Sequence, residues 1–372
     1  MSKEKLKFFT LKNILAKGAK YNVIFGERSN GKTYAVLKYA YEKFLETGEQ
    51  LAIIRRWDED FIGANSAKTC YDSLMCNGNG VNVIEKLSKG EYTGVEYYAG
   101  KYYLTIKDEE TQKSKRTDKI VAIAFSLTGS EHYKSASFPK IKTILLDEFM
   151  TRKYYLPNEF IDFQNVLSTI IRTRDDVTIF MCANTVNKYG CPYFTEMGLY
   201  RIKQMKQGDI DVYTYGESGL TVAVEWSDGI AKQKPSDIYF AFDNPRLQMI
   251  KTGAWEMDIY PHCPVKYVPK DILFTYFILY DEQLLQCEVV QHSDNLFTFI
   301  HRKTTELKDT INDLIFTPDY NPRPNYRRRI TEPYNNVTKK ILWFFNNEKV
   351  FYQDNEVGEI VRNYMNFCKG GE

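Results

Sequence analysis

Along the N-terminal half of the chain, hydrophobic positions follow two alternating patterns. Short apolar runs occur at 20–26 (KYNVIFG), 50–56 (QLAIIRR), 141–149 (IKTILLDEF) and 177–184 (VTIFMCAN). Runs of this length bounded by polar residues predict buried strands. Between them the spacing becomes helical. In 33–46 (TYAVLKYAYEKFLE), Val36, Tyr39, Ala40 and Phe44 share a face, and Gly48 lies just past the end. In 157–174 (PNEFIDFQNVLSTIIRTR), Phe160, Phe163, Val166, Leu167, Ile170 and Ile171 share another. KYYLTI (101–106) and KIVAIAF (119–125) predict a hairpin whose connection, 107–118, is the polar, partly basic KDEETQKSKRTD. Strands alternating with helices predict the α/β class with a mostly parallel sheet.

The pattern changes after about residue 205. DVYTYG and LTVAVEW read as strands, and 229–265 is rich in Pro, Asp and Lys, as in a linker or small adaptor. Residues 273–301 predict a three-stranded antiparallel meander with turns at DEQ and HSDN. The tail, with ILWFFNN and EVGEIVRNYMNF, completes an α+β region. With 372 residues the chain is long for one core. The expected division is 1–228, a linker at 229–265, and 266–372.

Composition narrows the classes. A net charge of +2 means that any nucleic-acid contact must be a local basic patch. The 28 Tyr and 23 Phe suit strands and cores. Seven Cys without a C-x-x-C pair, in a chain that opens without a signal peptide, predict reduced thiols in a cytosol. The four His lack ligand spacing, which argues against zinc. No apolar run reaches the roughly 18–20 residues that span a bilayer, so no membrane association is expected.

The chemistry concentrates at GERSNGKT, residues 26–33, which meets G-x-x-x-x-G-K-[ST] at Gly26, Gly31, Lys32 and Thr33. Glycines let the backbone of Gly26, Glu27, Arg28, Ser29, Asn30 and Gly31 curl around phosphates, and the following helix adds its positive end. Lys32 would reach the β- and γ-phosphates, and Thr33 would offer its hydroxyl to Mg²⁺. ILLDEF supplies the carboxylates, with Asp147 for the Mg²⁺ shell and Glu148 as general base toward water. The second acid points to water as the nucleophile and so to an ATPase. A P-loop small-molecule kinase and an ATP-gated ring scaffold with little turnover are the competing classes. Asn184 ends the strand VTIFMCAN, where it either contacts the γ-phosphate or attacking water or caps a turn. Arg172 and Arg174 close the second helix, either pairing with its dipole or serving as an arginine finger toward a neighbouring subunit.

These motifs, in their order and spacing, add up to more than a generic nucleotide loop. The phosphate loop with arginine at its third position, IIRR, ILLDEF, YLPNEF…STIIRTRDD, CANTV and CPYF resemble the genome-packaging ATPases of small short-tailed phages of the phi-twenty-nine type. The resemblance covers roughly residues 20–200. It implies an ASCE-type P-loop ATPase domain over 1–228, a linker, and an RNase H-like, nuclease-derived domain over 266–372. It also implies a homomeric ring, usually a pentamer, docked on the portal of a procapsid with a packaging RNA in the host cytoplasm. The ring would use ATP and Mg²⁺ to pump double-stranded DNA. By the same match Arg172 takes the finger role, with Arg174 close behind, and Lys134 in SEHYKSASFPK is a second basic residue acting across subunits. Arg28 becomes a shared trait, touching phosphate or the adjoining subunit.

The chain departs from the family's pattern in two places. The 107–118 loop is longer, and the acidic WDED follows Arg55 and Arg56 where a DNA-gripping lysine is expected. Lys113, Lys115 and Arg116 on that loop are the preferred contacts to the duplex backbone. In the C-terminal region Arg327, Arg328 and Arg329 form the best basic patch, with Tyr326 and Tyr334 available for stacking. The first meander strand, LFTYFILY, carries no acid and Glu288 stands alone on the next, so no two-metal nuclease is expected.

Overall fold

A computed structural model of the chain describes residues 8–63, 67–77, 79–108, 110–133, 136–153, 155–186, 188–228, 244–308 and 311–369. Two compact units emerge. The first comprises Met1–Thr151, Asn158–Thr185 and Leu199–Ala254; the second comprises Arg152–Pro157, Val186–Gly198 and Trp255–Glu372. The short segments 152–157 and 186–198 thus belong with the C-terminal region, although sequence reading placed them in the N-terminal domain. Part of the expected linker, 229–243, lies outside the described residues. The rest of it up to Ala254 belongs to the first unit and includes the helix Pro245–Thr252.

The first unit is built on a nine-stranded sheet. Its strands are β1 (Tyr21–Gly26), β2 (Gln50–Arg55), β3 (Gly94–Tyr98), β4 (Lys101–Lys107), β5 (Ser114–Ser126), β6 (Ile141–Asp147), β7 (Thr178–Asn184), β8 (Ile210–Tyr215) and β9 (Leu220–Trp226). Their spatial order is β3-β4-β5-β2-β6-β7-β1-β9-β8. The run from β5 to β9 is parallel throughout; the antiparallel strands β4 and β3 extend it on one side and the antiparallel strand β8 closes the other. The central strands are buried along nearly their whole length, which is why they read as unbroken apolar runs. Val36, Leu37, Ala40 and Tyr41 of the helix Lys32–Thr47 pack on Ile24, Leu51, Ile53 and Phe180. Truncating such a fully buried aliphatic side chain to Ala costs about 2–5 kcal/mol. Strand β7 lies between β1 and β6, separating the phosphate-loop strand from the acid-bearing strand. This is the α/β P-loop ATPase architecture expected of the ASCE type.

The second unit holds a six-stranded sheet. β10 (Ile272–Tyr280), β11 (Gln283–His292) and β12 (Asn295–Arg302) form the antiparallel meander. β13 (Ile315–Phe316) runs parallel to β10, β14 (Tyr326–Arg327) parallel to β13, and β15 (Val350–Tyr352) parallel to β12. Tyr276, Ile278, Leu285, Cys287 and Ile300 pack with Ile341 and Phe344 of the helix Asn336–Asn346 and with Ile360 and Tyr364 of the helix Asn355–Lys369.

One expected loop is shorter than its composition suggested. β5 starts at Ser114 and β4 runs to Lys107, so about half of the polar stretch 107–118 is hairpin strand. Lys115 and Arg116 therefore sit on a strand and only Lys113 sits in the turn. The hairpin's faces are exposed here, so charged residues occupy strand positions that would be apolar in a core.

Candidate active site

In a parallel sheet, the C-terminal ends of neighbouring strands open on one edge, where ligands bind. Here the register sets Gly26 beside Asn184 and Asp147 beside Cys182. Arg55, at the end of β2, follows Ile54, which is paired with Leu146. A cleft of about 400 Å³ opens on this edge. Its walls include Arg28, Ser29, Asn30, Gly31, Lys32 and Thr33 from the phosphate loop, with Arg55, Asp147, Glu148 and Asn184. Sequence reading brought the loop, the acids and the asparagine to one site, and the structure brings them together.

The loop is braced from Ser227, just past the end of the neighbouring strand β9. Gly26 has φ +154°, and a Cβ there would meet Ser227 Oγ at 2.1 Å. Ser227 donates to the Phe25 carbonyl (3.1 Å) and accepts from Asn30 Nδ2 (2.7 Å). Asn30 Oδ1 in turn accepts from Lys32 Nζ (3.1 Å). Lys32 also donates to the Gly26 and Glu27 carbonyls and to Asn184 Oδ1 (3.4 Å). Burial pushes its ammonium down to about 8, while Cys182, Asp147 and Glu27 pull the other way. Gly253, with φ +67°, abuts the loop as well. A Cβ there would lie 2.3 Å from Glu27 Cγ, so the backbone after the helix Pro245–Thr252 approaches the phosphate loop as only glycine allows.

Across the cleft, Thr33 Oγ1 donates to Asp147 Oδ1 (2.8 Å). Burial pushes the Asp147 carboxyl up, and Arg55 and Thr33 oppose that shift. Glu148 follows directly with φ +55°, a left-handed conformation that costs a non-glycine residue about 1–3 kcal/mol and persists only where its surroundings impose it. Its side chain is 60% exposed at the cleft.

Arg55 is the site residue that sequence reading missed. Its side chain is only 7% exposed. Nη1 donates to Asp147 Oδ2 (2.9 Å), Nη2 to Glu148 Oε2 (2.7 Å) and Nε to Asp60 Oδ2 (3.4 Å). The signal was present: an arginine ends an apolar strand whose neighbour, in a parallel sheet, ends in two acids. The acidic WDED segment is accounted for here too, since Asp60 pairs with Arg55 and Asp58 accepts from Ser126. Cys70, Ser73 and Tyr34 line the cleft as well.

The remaining candidates lie elsewhere. Arg172 is exposed at the end of the helix Glu159–Ile171, with φ +53°, and Nη2 donates to the Ala136 carbonyl (2.6 Å). Arg174 donates to the carbonyls of Ile170, Ile171, Phe138, Pro139 and Ile141. It therefore staples the helix end, and Arg172 is the more available of the two. Lys134 lies outside the described residues. Lys113, Lys115 and Arg116 are all exposed, and Arg116 stacks over Tyr98 (4.1 Å) and Tyr103 (5.1 Å). In the second unit Arg327 lies 3.9 Å over the Tyr334 ring, Arg328 donates to the Pro318 carbonyl, and Arg329 pairs with Glu332. Glu288 accepts from Tyr267 (2.6 Å), Gln286 (2.7 Å) and His301 (3.4 Å).

This geometry can be set beside known proteins. The profile of the Podovirus DNA encapsidation protein (Gp16) family matches residues 3–203. The chain belongs to that family. Among curated relatives, the DNA packaging protein of Bacillus phage B103 is 27% identical over 181 residues, covering 48% of each chain. The DNA packaging protein of Bacillus phage phi29 is 26% identical over 198 residues, covering 51% of this chain and 50% of the relative. The chain thus spans about half the length of the curated relatives it matches. Two solved structures share the fold along nearly the whole chain. The bacteriophage Phi-29 viral genome packaging motor assembly gives a TM-score of 0.55 at 18% identity, covering 96% of each chain. The Phi-28 gp11 DNA packaging motor gives 0.51 at 19% identity, covering 98% of this chain and 99% of that one. At those identities the likeness speaks for the fold.

Proposed function

We propose that this encapsidation-family protein is an ATPase that drives double-stranded DNA into a phage procapsid. The observation that carries the reading is the convergence of Lys32, Thr33, Asp147, Glu148 and Asn184 on one cleft at the carboxyl edge of a P-loop sheet. A phosphate loop alone would suit many nucleotide binders. A glutamate beside the metal-binding aspartate supplies a base for water, which a kinase with a hydroxyl acceptor does not need.

The cleft fits a Mg²⁺–triphosphate. Thr33 and Asp147 present a hydroxyl and a carboxylate 2.8 Å apart, the oxygen donors a hard divalent cation takes. Mg²⁺ would neutralise charge building on the phosphate oxygens. Lys32 exchanges its carbonyl partners for phosphate oxygens, and the loop N–H groups and the helix N-terminus complete the cradle. Glu148 takes the proton of the attacking water, which requires its carboxylate to part from Arg55, because a paired carboxylate is a poorer base. Asn184, level with Gly26, would sense the γ-phosphate. Arg172 of a neighbouring subunit would complete the site in a homomeric ring, the role Lys134 would share.

For DNA, the exposed Lys113, Lys115 and Arg116 suit backbone contact without sequence preference. Arg328 and its neighbours are the second candidate surface. In the second unit, the antiparallel meander with two following strands laid parallel beside its first supports the RNase H-like reading. Glu288, held by three side chains, supports a domain kept for binding rather than cleavage. A portal, a packaging RNA and a host-cytoplasmic setting fit the same reading.

The test is ATP hydrolysis by the full chain, with and without duplex DNA, over a range of protein concentrations. Expected are stimulation by DNA and a steep concentration dependence. Glu148→Gln should lower kcat at least about a hundredfold while nucleotide still binds, the scale of removing a general base. Turnover that needs an added hydroxyl acceptor, or that ignores DNA, would contradict the reading.

A further inference from the structure

We infer that Arg56 is a positioning residue for the general base: through a buried fork on Glu159 it holds the Glu148–Phe149 backbone in the conformation that presents the Glu148 carboxylate. The inference rests on the reading of the cleft as an ATPase site.

Arg55 and Arg56 are consecutive, so they leave the end of β2 toward opposite sides. Arg55 takes the carboxylates of Asp147 and Glu148. Arg56 takes the main chain of the same segment: Nη2 donates to the Phe149 carbonyl (2.7 Å), and Nη1 reaches the Glu148 carbonyl (3.5 Å). The rest of its guanidinium closes on Glu159, Nε to Oε2 (2.7 Å) and Nη2 to Oε1 (2.8 Å). Such bidentate geometry fixes orientation as well as distance, which a lysine cannot do.

Both partners are removed from water. The Glu159 side chain is 0% exposed and that of Arg56 is 9% exposed. A buried ion pair is weak evidence for stability, since apolar residues of similar volume often serve as well. Its value here is geometric. Glu148 is a non-glycine residue at φ +55°, a conformation that persists only where its surroundings impose it. Its surroundings grip it on both sides. Arg56 takes the two carbonyls, and the Phe149 N–H donates to the Cys182 carbonyl of β7 (3.4 Å). The anchor is rigid, because Glu159 is the first residue of a 13-residue helix. If the fork opened, the Glu148 backbone would be free to relax toward ordinary φ, and its carboxylate would leave the position from which it faces water.

Arg56 is absent from the residues lining the cleft, so its effect must run through Glu148. That yields a readout a purely structural role would not give. In the full-length protein, Arg56→Lys keeps a charge for Glu159 but loses the fork. We expect kcat for ATP to fall at least about tenfold, with KM and nucleotide affinity within about twofold of the unsubstituted chain. In a Glu148→Gln background, measured in single turnover, Arg56→Lys should cost less than about twofold further, because the group it positions is already gone. Should Arg56→Lys fail to fold, Glu159→Gln, which keeps the volume and one acceptor, is expected to show the same pattern. Unchanged kcat, a rise confined to KM, or an equal loss in the Glu148→Gln background would overturn the inference alone. An unsubstituted chain that hydrolyses no ATP would overturn the functional reading and this inference with it.

Discussion

The guanidinium of Arg55 lies 2.7 Å from the Glu148 carboxylate and, through its other nitrogen, 2.9 Å from that of Asp147. One buried cation therefore pairs with both acids of the cleft. Asp147 feels this directly, since burial pushes its carboxyl up and the Arg55 charge opposes that. Arg55→Ala should raise the Asp147 pKa further. Asp147 must be ionised to serve a cation, so activity falls as pH drops through its pKa. The acidic limb of the kcat/KM profile should accordingly move to higher pH in Arg55→Ala and less so in Arg55→Lys. An acidic limb that stays put would mean that Asp147 does not titrate under Arg55 control.

Lys32 offers a second pH signature. Burial pushes its ammonium down to about 8, and a bound triphosphate favours the charged form. Nucleotide binding near that pH should take up a proton, and affinity should weaken several-fold between about pH 7 and pH 9. Calorimetric titration in buffers of different ionisation enthalpy measures the uptake directly. Lys32→Arg should abolish it, because arginine stays charged. Identical apparent enthalpies in all buffers at pH 8 would rule out the coupling.

Arg172 and Arg174 should separate cleanly. Arg174 satisfies carbonyls at a helix end, so Arg174→Ala should lower stability by about 1–3 kcal/mol. Arg172 is exposed and makes one described carbonyl contact, so Arg172→Ala should leave Tm nearly unchanged while abolishing most turnover in assemblies. Mixing Arg172→Ala with Lys32→Ala subunits should restore part of the activity, because each supplies what the other lacks. If no mixing ratio restores turnover, action between subunits is excluded.

In the second unit, Glu288 and His301 form a titrating pair. Burial works against the Glu288 charge, but donation from His301, Tyr267 and Gln286 prevails and pulls its carboxyl from an ordinary 4.5 to about 2. His301 is raised from 6.5, chiefly by its hydrogen bond to Glu288. The glutamate's contribution to stability is complete above 4.5 and fades as pH falls toward 2. The histidine's is complete below 6.5 and fades as pH rises through its folded value. The Tm difference between the natural chain and Glu288→Gln should therefore peak near pH 5.5 and shrink on both sides. A difference that grows steadily toward pH 8 would contradict the pairing.

Much of this was legible in the residues. β1, β6 and β7 are runs of apolar side chains buried on both faces, and such runs have few other homes. GERSNGKT carries its own geometry in its glycines. Arg55 was hidden because strand order is a tertiary fact: nothing local says that β2 lies beside β6. Without that adjacency, a terminal arginine followed by acids looks like solvated surface. Lys115 and Arg116 misled in the opposite way, since a strand that buries neither face can carry the composition of a loop. The segments 152–157 and 186–198 lie among N-terminal-unit elements along the chain, whereas their unit is decided by packing.

That interleaving limits how the protein can be divided. The chain passes from one unit to the other and back twice between Thr151 and Leu199 before its final crossing after Ala254. No single cut releases either unit with all its parts. Expression of residues 1–228 would leave two stretches of the partner unit stranded and omit the backbone at Gly253 that abuts the phosphate loop. Recombination between related genomes meets the same constraint: a crossover in this region would trade mismatched fragments of both units. The two should therefore be inherited together, as one cassette.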